Sequence, residues 1–223
     1  MHALIVAAGP PPDRAVLDRS WPAWADGAGL VIGADGGAAI ARWLGLPLDL
    51  AVGDFDSIDQ GGLETLRDAG VPVEVAPTAK DESDTELAVR AALARGADRI
   101  TIVGGLGGRP DHLVANLGLL ALPELAAVDV VLVDDRTRIS LVRGPGGRQL
   151  DGRAGDLVSL LPLGPGVQGV TTSGLTWALR DEGLPIGPSR GLSNVRADRA
   201  ASVTVRAGLL LVVETVGSAA DLC

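Results

Sequence analysis

The 223-residue chain is 47% hydrophobic and 21% charged, a balance that supports a buried core and excludes a natively disordered polymer. Its 28 acidic residues outnumber 19 lysines and arginines, and the resulting net charge of -9 has the wrong sign for broad attraction to nucleic acid or anionic lipid. Any anionic ligand therefore needs a local device.

The single cysteine, Cys223, has no partner within the chain, so no intrachain disulfide framework exists and a reducing cytoplasm is the expected location. The apolar run 3–8 is shorter than a secretory core segment, lacks a basic lead, and reads as a buried first strand. Glu124 and Asp129 interrupt the apolar stretch 113–133, which removes it as a membrane span.

Short β-branched or leucine-rich runs recur at 4–6, 30–32, 50–52, 71–75, 100–103 and 130–133, mostly separated by segments of helical period. That alternation predicts an α/β domain with a mostly parallel sheet. The clearest helix opens near Ser83, where Ser83-Asp84-Thr85-Glu86 has the form of a capping box and Leu87, Ala91, Leu93 and Ala94 line an apolar side. Another follows the glycines 104–108 and carries Leu113, Leu117 and Leu120 at helical spacing. Beyond about Asp135 the texture changes. Runs at 139–142, 157–161, 167–171, 175–179, 201–205 and 209–213 alternate with Gly, Pro and Asp turns and predict a smaller all-β, sandwich-like domain. The expected division is 1–138 and 139–223.

Aspartates stand beside glycines at the expected C-terminal ends of strands, the edge where open α/β sheets bind ligands: Ala34-Asp35-Gly36-Gly37, then Gly53-Asp54-Phe55-Asp56-Ser57. In extended backbone Asp54 and Asp56 would point the same way and share a hard cation, magnesium being the natural candidate; the same dipeptides also serve as helix caps and turns. A third acidic cluster, Lys80-Asp81-Glu82-Ser83-Asp84-Thr85, sits where a helix dipole favours carboxylates without any function. Three such loops side by side form a negative pocket that a metal-complexed nucleotide would relieve.

The fourth element, Gly104-Gly105-Leu106-Gly107-Gly108-Arg109-Pro110-Asp111-His112, offers close backbone approach, exposed helix-start amides and a permanently charged guanidinium to phosphate oxygens. It is neither a Walker A loop nor a dinucleotide fingerprint. His112 reads equally as a base or as an organiser of its loop. The terminal position of the thiol makes cysteine-based nucleophilic catalysis implausible, and two histidines support no zinc site. Trp177 either packs in a β core or forms a wall for a flat or cationic ligand.

Taken in order, these motifs, together with Gly191-Leu192-Ser193-Asn194, resemble the thiamine pyrophosphokinase family across nearly the whole chain. The resemblance implies an N-terminal α/β catalytic domain, a C-terminal thiamine-binding β-sandwich, and a homodimer whose thiamine sites lie between subunits. It implies transfer of diphosphate from ATP to the thiamine hydroxyl, with attack at the β-phosphorus. It further implies Asp54, Asp56 and Asp84 as Mg²⁺ ligands and Asp35, Gly36 and Asp81 in the nucleotide and metal site. A carboxylate would accept the hydroxyl proton in this scheme, Asp81 being one candidate among several. Gly104, Gly105, Gly107, Gly108 and Arg109 would hold phosphate, supported by Asp111 and His112, with Thr85 and Asn116 as secondary phosphate-site candidates. Trp177 would lie against the thiamine rings, with Ser193 and Asn194 near the pyrimidine. The opening Ala7-Ala8-Gly9-Pro10-Pro11-Pro12 departs from the family's more usual glycine-rich loop. The competing readings are another Mg²⁺-dependent nucleotide transferase, distinguished by its acceptor, and a sensor that binds without turnover.

Overall fold

A computed structural model describes residues 1–56 and 60–217; Ser57 and Cys223 lie outside the described residues. The chain divides into two units, Met1–Asp135 and Arg136–Cys223.

The first unit runs β1 (His2–Val6), α1 (Arg14–Ser20), β2 (Ala28–Ala34), α2 (Gly37–Trp43), β3 (Leu50–Gly53), α3 (Gln60–Asp68), β4 (Val73–Val75), α4 (Asp84–Ala94), β5 (Arg99–Val103), α5 (Pro110–Leu119) and β6 (Asp129–Asp134). Its strands lie in the order β4–β3–β2–β1–β5–β6, each neighbour parallel. The central strand β1 is buried along its full length, as a strand covered on both faces must be, which explains its unbroken apolar run. Ser83 caps α4 by accepting from the Glu86 N–H at 3.1 Å, a contact worth about 1 kcal/mol. In α5 the buried positions include Asn116 beside Leu119, and Leu120 is buried at the C-cap; Leu113 and Leu117 are only partly covered.

The second unit is all β: β7 (Thr137–Arg143), β8 (Gly146–Leu150), β9 (Leu157–Pro162), β10 (Gly166–Ser173), β11 (Glu182–Pro185), β12 (Asn194–Val195), β13 (Ala201–Val205) and β14 (Leu209–Thr215). Two antiparallel arrays, β12–β9–β14–β7 and β11–β10–β13–β8, enclose a core that includes Val158, Leu160, Val170, Val203, Leu210 and Val212. This is the expected sandwich-like class.

Residues 175–179 are a correction. A strand of period two would turn Trp177 to the same face as Leu175 and Leu179, yet the leucines are 6% and 1% exposed and the tryptophan 54%. The segment bends, forming an isolated Leu175–Arg196 bridge instead of a continuous ladder, and its two leucines fill the core from a loop. The sequence reading also passes over β8, β11 and β12, whose glycines and polar residues carry little apolar signal.

Candidate active site

The strand order reverses between β1 and β5: the sheet grows from β1 toward β4 on one side and from β5 to β6 on the other. Loops leaving such a switch point diverge and open a crevice at the carboxyl edge. Here those loops are 7–10 and 104–109, and they bound a cavity of about 690 Å³. The two are tightly apposed: Ala7 N–H donates to the Val103 carbonyl at 2.8 Å, and a Cβ on Gly9 would stand 2.1 Å from the Gly104 carbonyl oxygen. Pro10 packs against Gly107, where a Cβ would meet its ring at 3.1 Å.

Three aspartates converge on the same cavity. Asp35, Asp54 and Asp56 each bring a carboxylate oxygen within 4.8 Å of the others. The extended geometry expected for 54–56 is not what gathers them. Phe55 has φ 56°, a left-handed conformation that is costly for an aromatic residue, and its ring is buried with Ala38, Ala51 and Leu66. The turn drives the ring inward and leaves both flanking aspartates at the rim, with Asp54 Oδ1 accepting from the Asp56 N–H at 3.3 Å. Asp35 is also left-handed, at φ 48°, and is held to the end of β3 by its N–H bond to the Val52 carbonyl at 2.8 Å. Gly53 permits that proximity, since a Cβ there would lie 3.1 Å from the Asp35 Cα.

Asp84 lines the cavity without belonging to this trio; a shared cation links it to the trio. Lys80 Nζ lies 2.6 Å from Asp54 Oδ2 and 3.1 Å from Asp84 Oδ1, with Lys80 and Asp54 side chains each 10% exposed. The ammonium holds the Asp54 carboxyl below its ordinary range. Burial opposes the charge on Lys80, but its bonds to Asp54 and Asp84 prevail and raise its pKa. Oxygen-only donors are a set suited to Mg²⁺, a hard divalent ion.

Asp81, Thr85, Gly104, Gly107, Gly108, Arg109, His112 and Asn116 also line the cavity, whereas Gly36, Gly105 and Asp111 are not among its lining residues. Arg109 is 71% exposed in its side chain and is steadied by Asp111, which accepts from its Nη2 at 2.6 Å and from its Nε at 3.2 Å. That guanidinium lowers the Asp111 pKa to about 2. Asn116 is buried and donates to the Gly105 carbonyl at 2.9 Å, so it braces the glycine loop from behind.

In the second unit Asn194 is buried and its side-chain amide is engaged by Trp177, donating to the Trp177 carbonyl and accepting from its N–H. Ser193 is exposed, left-handed at φ 55°, and its N–H donates to Ser159 Oγ at 3.0 Å.

Lys80 is a cavity residue for which the sequence motifs predict no role. The missed signal is compositional: Lys80 is the only lysine, every other basic side chain except the histidines being arginine.

Comparison with known proteins identifies the family. The profile for "Thiamin pyrophosphokinase, catalytic domain" matches residues 22–132, and that for "Thiamin pyrophosphokinase, vitamin B1 binding domain" matches residues 147–210. The chain is 26% identical over 187 residues to the thiamine pyrophosphokinase of Bacillus subtilis (strain 168), spanning 83% of this chain and 87% of that one. The crystal structure of the Bacillus subtilis enzyme superposes with a TM-score of 0.84 at 25% identity, over 97% of this chain and 99% of that one. A thiamin pyrophosphokinase family protein from Enterococcus faecalis superposes with a TM-score of 0.80 at 30% identity, over 96% of this chain and 99% of that one. With both profiles matched in succession and nearly the full length aligned to such relatives, the chain belongs to the thiamin pyrophosphokinase family.

Proposed function

We propose that the switch-point cavity is the donor site for transfer of diphosphate from ATP to thiamine. The hydroxyethyl oxygen forms a bond to the β-phosphorus, the bond from that phosphorus to the α-phosphate oxygen breaks, and AMP leaves as thiamine diphosphate forms. The observation that carries this reading is the convergence of Asp35, Asp54 and Asp56 within 4.8 Å at the carboxyl edge, facing the glycine loop across one cavity.

Asp54 and Asp56, with Asp84, would hold Mg²⁺, and Asp35 completes the carboxylate wall. When bound, Mg²⁺ supplies countercharge and alignment to the phosphate oxygens. The amides at Gly104, Gly107 and Gly108 and the start of α5 donate to phosphate oxygens, and Arg109 adds a planar donor at the mouth. Thr85 lines the same cavity. Asp111, His112 and Asn116 keep that loop in place. Asp81, exposed on the cavity wall, is our nominee to take the hydroxyl proton. Positioning and fixed charge supply most of the acceleration.

In the β unit, Trp177 offers an aromatic surface to the thiazolium cation, and Ser193 and Asn194 define its surroundings. A homodimer with thiamine between subunits, working in the cytoplasm, completes the proposal; among the described residues no helix is long and apolar enough to cross a membrane. Incubating the protein with ATP, Mg²⁺ and thiamine tests it. Thiamine-dependent AMP release with thiamine diphosphate is expected, and ADP with thiamine monophosphate would refute it.

A further inference from the structure

We propose that Lys80 is a displaceable counter-cation: it holds Asp54 and Asp84 together before metal arrives, competes with the divalent ion for them, and then transfers its ammonium to the polyphosphate. This rests on the donor-site reading above.

Two geometric facts require the competition. Lys80 Nζ sits 2.6 Å from Asp54 Oδ2, and the same Asp54 is a member of the carboxylate trio that can hold a metal. An ammonium and a divalent cation on one carboxylate repel strongly at contact distance, where salt screens little. As the metal enters, the ammonium must leave. Its second contact, Asp84 Oδ1 at 3.1 Å, lines the same cavity, so it leaves into the space where the polyphosphate binds.

The choice of residue fits that role. Arginine supplies all the other long cations of this chain, and its planar fork locks onto carboxylates in pairs of bonds. Lysine is a compact point charge on a flexible stem, easier to detach and re-aim. The chain keeps its single lysine where a cation must move. The consequence is ordered assembly: metal alone binds weakly, and metal with nucleotide binds well because the polyphosphate rehouses the ammonium.

The sole lysine also makes the test selective. Acetylation of the full wild-type chain by acetic anhydride, followed by mass spectrometry of the Lys80 peptide, reads this ammonium alone. Saturating Mn²⁺ should speed Lys80 acetylation several-fold, and Mn²⁺ with a nonhydrolysable ATP analogue should slow it again. In parallel, Mn²⁺ titrations without nucleotide, followed by electron paramagnetic resonance, should show Lys80→Met binding about ten-fold tighter and Lys80→Arg weaker than wild type. Analogue binding in the presence of Mn²⁺ should weaken about ten-fold in Lys80→Met.

If Asp54→Asn abolishes Mn²⁺ binding while Lys80→Met leaves it unchanged or weaker, the displacement idea is wrong and the donor site stands. Unchanged acetylation on adding Mn²⁺ overturns it equally. If wild type binds no Mn²⁺, or Asp54→Asn binds it as well as wild type, the donor-site reading itself fails and takes the switch with it.

Discussion

The side-chain amide of Asn194 brackets the backbone of Trp177, its Oδ1 accepting from the Trp177 N–H at 3.0 Å and its Nδ2 donating to the Trp177 carbonyl at 2.7 Å. Asn194 is 5% exposed and Trp177 is 54% exposed, so a buried polar group fixes the loop that presents an indole outward. Asn194→Ala frees that loop without touching the indole. Steady-state kinetics should show the thiamine KM rising about ten-fold, with the ATP KM unchanged. Trp177→Ala should do at least as much, and the double variant little more, because both changes remove one presentation. Fully additive effects would separate the two residues.

Asp54 belongs both to the aspartate trio and to the Lys80 pair, whereas Asp84 belongs only to the pair. Asp54→Asn should therefore lower kcat by at least about 100-fold, and by more than Asp84→Asn. The isosteric amide still offers Lys80 an acceptor oxygen, so the melting temperature without metal should move by only a few degrees. Activity measured against Mg²⁺ concentration, beside thermal melts, checks both halves.

Gly9 and Gly27 separate loop apposition from backbone strain. A Cβ on Gly9 would stand 2.1 Å from the Gly104 carbonyl oxygen, while one on Gly27, at φ +69°, would meet nothing within 4 Å among the described residues. Gly9→Ala should push the glycine loop away, destabilise the fold by roughly 1–3 kcal/mol and raise the ATP KM. Gly27→Ala should cost about 1 kcal/mol with unchanged kinetics. Equal KM values in the two variants would show that the 7–10 loop does not position phosphate groups.

What the sequence disclosed depended on how local the cause was. The Ser83 cap is written in four consecutive residues, and the parallel strands announce themselves because burial on both faces demands unbroken apolar runs. The aspartates at 35, 54 and 56 were legible as strand-end residues, but their meeting is set by strand order and by a left-handed Phe55, neither of which spacing reports. Leu175, Trp177 and Leu179 have a strand's alternation, and only the sandwich decides that two leucines enter the core from a bend. Lys80 was hidden by its acidic neighbours, which read as a helix start.

Glu214 predicts an unusual acid preference in stability. It is 2% exposed near the end of β14, and among the described residues neither carboxylate oxygen has a hydrogen-bond partner. Burial raises its pKa from 4.5 to about 7, against the pull of Arg138, Arg148 and Arg196 and with a push from Asp156. Since the folded state binds this proton more tightly than the unfolded chain, the stabilisation is fully present below the unfolded pKa and is lost as pH rises toward about 7. Chemical denaturation should find the Glu214 contribution falling by roughly 2–3 kcal/mol between about pH 5 and pH 8. Glu214→Gln should flatten that slope and be the more stable protein at about pH 8, with little difference at about pH 5. Parallel pH profiles in the two proteins would mean that the three arginines already stabilise the ionised carboxylate.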